Sequence, residues 1–103
     1  MPDLIDVGID VLQPIDPSCM DIAKTKQEFG DRICLVGNVP NELLRSGTPE
    51  EVQAYTKNLL RNCAAGGGYC VGSGNSVPDW ANFDNFMAMR DTTLEYGAYP
   101  ISL

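Results

Sequence analysis

The sequence predicts an α/β fold built on a βαβαβα unit with its strands parallel. Three observations predict it. Short runs rich in branched aliphatic residues alternate three times with longer stretches of helical character. The second of those runs, Ile33–Val36 (Ile-Cys-Leu-Val), is apolar without alternation, the pattern of a strand covered on both faces. Each helical stretch is followed by glycine, at Gly30, at Gly66–Gly68 and at Gly97.

In chain order, a helix end at Leu4-Ile5 precedes the first strand, Ile9–Ile15, which Pro14 and Pro17 close. A helix from about Asp21 to Phe29 follows, with Gly30 in the place of a C′ glycine. Gly37 breaks the second strand. The next helix carries the clearest signals: Thr48 as N-cap, Pro49 at the first helical position and Glu51 completing a capping box. Its apolar residues Val52, Tyr55, Leu59, Leu60 and Cys63 form one stripe for packing. Glu50 and Glu51 complement the helix dipole and are not a catalytic pair. Gly66–Gly68 reads as a cap and loop rather than a phosphate cradle. The third strand is Tyr69–Val71, followed by Gly72-Ser73-Gly74-Asn75-Ser76. The last helix runs from about Phe83 to Tyr96 and is expected to bury Phe83, Phe86, Met87 and Leu94.

Composition removes several functions. Apolar residues make up 44% and charged residues 20%, which suits a globular chain. Seven Lys plus Arg stand against fourteen Asp plus Glu, and the net charge of −7 repels phosphate backbones and anionic lipid, so neither nucleic acid nor membrane is an expected partner. The start Met1-Pro2-Asp3-Leu4 lacks the basic, apolar pattern of a secretory signal, so a cytoplasmic location is expected. There is no histidine, which excludes the commonest general base and metal ligand from this chain. Cys19, Cys34, Cys63 and Cys70 contain no C-x-x-C spacing and are expected to be reduced and mostly buried.

Three parallel strands with helices on one side leave two open edges and one bare sheet face. A (β/α)₈ barrel takes about 250 residues, or about 31 per unit. The 103 residues here divide into three units of about 34. The chain therefore has the pitch of a barrel and less than half its length.

Specific residues point the same way. Gly8-Ile9-Asp10-Val11-Leu12-Gln13-Pro14, Met20-Asp21 with Phe29-Gly30-Asp31-Arg32, Gly37-Asn38-Val39 and Gly47-Thr48-Pro49-Glu50-Glu51-Val52 come in order. Gly66-Gly67-Gly68-Tyr69, Gly72 through Asp79, Asn85, Met87 and Tyr96-Gly97 follow. In this order and spacing the chain resembles the C-terminal portion of the uroporphyrinogen decarboxylase superfamily, which includes cobalamin- and coenzyme M-dependent methyltransferases. The resemblance implies the last three strand-helix units of a TIM barrel over residues 1–103. It also implies that Asn75 lies in the loop after the last strand, at the barrel mouth. Decarboxylases of the family usually carry a histidine there and zinc-dependent methyltransferases a cysteine ligand. Asparagine neither titrates near neutrality nor ligates zinc well, but it hydrogen-bonds a carboxylate or methoxy group.

Gln13, Asp16 and Asn38 fall at or just past the carboxyl ends of their strands, the edge of a barrel that carries function; turn chemistry is the other reading of Asp16 and Asn38. Ser73 sits in a loop able to present backbone N–H groups to an anion, or in a plain tight turn. The G-x-G-x-x-G fingerprint fails, because Val77 stands at its third glycine. The expected substrate-binding set is thus Asn75, Ser73, Asn38, Gln13 and Asp16, with no catalytic residue assigned. The function implied is that of a segment of a tetrapyrrole acetate decarboxylase, inactive alone. Its alternatives are a segment of a corrinoid-dependent methyltransferase, a truncated non-catalytic chain that self-associates or docks a complementary barrel piece, and a small stand-alone binding domain. No cofactor is expected within the segment itself, since the resemblance ties zinc or cobalamin to complete methyltransferase-type relatives only.

Overall fold

The computed structural model describes residues 5–13, 21–74, 82–99 and 101. Among them, β1 (Val11–Leu12), β2 (Cys34–Val36) and β3 (Tyr69–Cys70) form a parallel sheet in the order β1-β2-β3. Parallel neighbours need long crossovers, and helices supply them. Helix α1 (Ile22–Phe29) joins β1 to β2. Helices α2 (Asn41–Ser46) and α3 (Pro49–Leu59), the latter running into a π-helical turn at Leu60–Ala64, join β2 to β3. Helix α4 (Phe83–Tyr96) follows β3. The βαβαβα order is the one the sequence predicts, with shorter strands. The first spans two residues of the expected Ile9–Ile15, and the segment from Pro14 lies outside the described residues.

Local chemistry sets the helix ends. The Asp21 carboxylate accepts from the backbone N–H groups of Ala23 and Lys24 at 3.0 and 3.3 Å, which starts α1. Gly30 ends α1 with a right-handed φ of −65°, so space rather than handedness selects glycine there: a Cβ would lie 2.4 Å from the Lys26 carbonyl oxygen. The capping box of α3 is complete. The Glu51 N–H donates to Thr48 Oγ1 at 3.2 Å and the Thr48 N–H donates to Glu51 Oε1 at 3.0 Å, a cap worth about 1 kcal/mol. After the π turn, Gly66, Gly67 and Gly68 all adopt positive φ (84°, 83° and 69°), which turns the chain back into β3. The Lys26 ammonium donates to the Gly67 carbonyl at 2.6 Å and fastens this loop to α1. Helix α2 has no counterpart in the sequence reading. Six residues are too few to show a period, and among them Leu44 alone is buried.

The sheet has two unlike faces. Leu12, Leu35 and Tyr69 are register partners and share one of them. Leu35 there joins Ile22, Ile33, Val39, Leu44, Val52, Leu59, Cys63 and Met89 in the hydrophobic core, with Leu12 and Tyr69 packed against it. The other face carries Val11, Cys34, Val36 and Cys70, none of which belongs to the core. Val11 and Cys70 are exposed; Cys34 and Val36 are half-buried. Extents of 39 × 30 × 16 Å fit one sheet layer and one helix layer. Among the described residues, the apolar run of β2 is thus packed into the core on one face only.

Two expectations need correction. Helix α4 buries Asn85, Met89 and Thr92, while Phe83 and Leu94 are each 72% exposed and Phe86 and Met87 are half-buried. Phe83, Met87 and Leu94 lie on the side of the helix opposite Asn85, Met89 and Thr92. The helix turns its polar amide inward because hydrogen-bond acceptors await it there. Of the cysteines, Cys63 is buried as expected, but Cys34 is half-buried and Cys70 exposed, because both stand on the bare sheet face. These three are free thiols, and Cys19 lies outside the described residues. No helix among the described residues is long and apolar enough to cross a membrane.

Candidate functional site

Parallel strands end on one edge, so the residues just past them gather there. Gln13 follows β1 directly, Asn38 comes two residues after β2 and Ser73 three after β3. Asn38 and Ser73 are brought together. Ser73 bridges Val39, the neighbour of Asn38. The Val39 N–H donates to the Gly72 carbonyl at 2.9 Å, and the Gly74 N–H donates to the Val39 carbonyl at 2.7 Å. On its other side, the Gly37 N–H donates to the Cys70 carbonyl at 3.1 Å, and the Tyr69 hydroxyl donates to the Gly37 carbonyl. Gln13 stands exposed at the same edge. Asp16 and Asn75 lie outside the described residues, but Gly74, directly before Asn75, is anchored at this edge.

Asn38 is 1% exposed, and its Oδ1 has no hydrogen-bond partner among the described residues. Leaving a buried amide oxygen unpaired costs about 1–3 kcal/mol. The clamps on both sides hold it there regardless. The group is therefore a preset acceptor at the edge where a barrel binds its ligands. Asn38, Ser73 and Gln13 are all neutral. They can orient a carboxylate or a methyl-bearing polar group, and they cannot exchange protons with it near neutral pH.

A further residue supports this edge, and the sequence reading quoted it only within the family resemblance. Asn85 Nδ2 donates to the carbonyls of Gly47, Leu44 and Leu43 at 2.8, 3.1 and 3.4 Å. The Asn82 N–H also donates to the Leu44 carbonyl at 2.9 Å. The start of α4 is thereby tied to α2, which opens three residues after Asn38. The available signal was an asparagine inside an apolar helical run, where a polar residue of poor helix propensity needs a partner.

Ionisation at the core predicts alkaline behaviour. Burial pushes the Cys63 thiol up to about 11, with Lys26 pulling the other way, and pushes the Tyr69 phenol well above its ordinary range. Both folded values are raised, so their stabilisation is fully present below the unfolded values, about 8.5 for Cys and 10 for Tyr, and is lost as pH rises through them. Urea midpoints should stay level from pH 7 to 8 and fall by pH 11. A midpoint unchanged at pH 11 would contradict the burial of both groups.

Parallel strands with helices on one face, and hydrogen-bonding side chains collected past the strand ends, define a TIM-barrel-like fragment of the kind that builds small-molecule sites. A family model described as uroporphyrinogen decarboxylase (URO-D) matches residues 1–96, and the chain belongs to that family. Among solved structures it is similar to a methyltransferase from Methanosarcina mazei, with a TM-score of 0.77 and 25% identity over 93% of this chain. The match takes in 27% of the methyltransferase, so the chain spans about a quarter of that relative. No curated protein matches it.

Proposed function

We propose that this chain supplies one rim of the substrate site of a methyl-transferring barrel enzyme of the URO-D superfamily. The carrying observation is Asn38, buried at the carboxyl edge, with an acceptor oxygen unpaired among the described residues and with its neighbour Val39 bridged to Ser73. The likeness to the Methanosarcina methyltransferase favours methyl transfer over the decarboxylation that gives the family its name. In this role Asn38 and Ser73 orient the polar group that bears the methyl and Gln13 closes the solvent side; Asp16 and Asn75, outside the described residues, are assigned to the same substrate site by the sequence reading alone. The bare face with Val11, Cys34, Val36 and Cys70 then belongs to the barrel interior, covered by the remaining strands.

Zinc does not fit the residues present. No three His, Cys, Asp or Glu side chains converge among the described residues, and position 75 is asparagine. The part of this chain is to bind and orient.

The test is a chimera in which this chain replaces the matching stretch of the Methanosarcina methyltransferase. Retained methyl transfer is the expected result. A folded chimera that transfers no methyl group, or that instead decarboxylates a tetrapyrrole, overturns the reading.

A further inference from the structure

We infer that Cys34 and Cys70 form a two-thiolate site for one soft monovalent cation of the Cu(I) class. The pairing of Leu35 with Tyr69 and of Val36 with Cys70 puts both cysteines on the bare face of adjacent strands, one two-residue step apart. Both are free thiols, one half-buried and one exposed. Their side chains meet: after burial, the proximity of Cys70 and a hydrogen bond to it hold the Cys34 thiol above its ordinary range. Two separate strand positions thus set their thiols side by side on one face.

The geometry chooses between the reactions open to such a pair. A disulfide needs Cα atoms within about 7 Å, whereas strands about 4.8 Å apart and a two-residue step of about 6.6 Å put the Cα atoms about 8 Å apart. A metal bridge reaches further, because two metal–sulfur bonds of about 2.3 Å separate the sulfurs by up to about 4.6 Å. Zinc seeks four ligands, and among the described residues no group of three His, Cys, Asp or Glu side chains could hold a metal. Thiolates favour Cu(I), and Val11 and Val36 on the same face offer no oxygen to a harder ion. Binding releases both thiol protons and leaves a bis-thiolate complex of net charge −1, with no change of oxidation state. The Lys26 ammonium, which already acts on Cys34 against the effect of burial, offsets that charge.

The inference stands apart from the proposed function and is tested on the chain as it is. Anaerobic titration with Cu(I) against bicinchoninate should show one equivalent held per chain. Cys34→Ser and Cys70→Ser should each lose it, with circular dichroism unchanged, and Cys19→Ser should keep it. As a second probe, phenylarsine oxide should protect Cys34 and Cys70 together from alkylation, read by peptide mass. An equivalent that survives either serine variant, one that disappears in Cys19→Ser, or no competition with bicinchoninate at all overturns the site.

Discussion

Replacing Asn85 by alanine should lower the stability of the chain by about 2–3 kcal/mol, read as a fall in the urea midpoint. The amide offers two hydrogens to three carbonyls, at Gly47, Leu44 and Leu43. Leu43 and Leu44 keep backbone donors without it, from Gly47 N–H at 2.9 Å and Asn82 N–H at 2.9 Å. The Gly47 carbonyl has the Asn85 amide as its donor. Alanine therefore orphans one buried carbonyl outright, weakens two more and opens a small void. It also removes Oδ1, which is buried with no partner among the described residues, and that offsets part of the loss. Asn85→Asp should cost more, since it sets a carboxylate against the same oxygens. Amide exchange at 43–47 should quicken with it. A change below about 0.5 kcal/mol would show that the three contacts do not hold α2 in place.

The largest effect should come from Leu35→Ala. This side chain is fully buried in the central strand and faces the helix layer. Leucine-to-alanine changes at such sites cost about 2–5 kcal/mol, against a total of about 5–15 for a domain. Val36, one residue on, faces the bare side and is half-buried, so Val36→Ala should cost about 1 kcal/mol or less. The contrast between adjacent residues matters more than either value. Equal losses would mean that both sheet faces are packed, contrary to the arrangement described.

Much of this was legible in the sequence, and the gaps have physical causes. Thr48, Pro49 and Glu51 announced α3 because capping is local chemistry, complete within four residues. The range of α4 was readable from its flanks. Its buried face was not, because Phe83 and Leu94 outrank Asn85 in hydropathy and nothing near Asn85 in the sequence reveals the α2 carbonyls it meets, some forty residues away. The apolar run Ile33–Val36 suggested cover on both faces, and among the described residues only one face is packed; a sequence records the burial a residue is suited to, whether or not a second layer is present. Asn38 was chosen from its place after a strand. That it is buried and short of a partner depends on the Val39–Ser73 bridge, a contact no local pattern encodes. Asp16 and Asn75 remain readings of the sequence alone.

The role of Asn38 as a substrate contact is tested most directly by the kinetic effect of Asn38→Ala in the methyltransferase chimera. A raised KM for the methyl donor, with the urea midpoint unchanged or higher, is the expected result: the variant removes an acceptor that is unpaired among the described residues and frees the fold of its desolvation cost. An unchanged KM and kcat would contradict the assignment, and would make Asn38 a turn residue at a barrel edge that binds nothing.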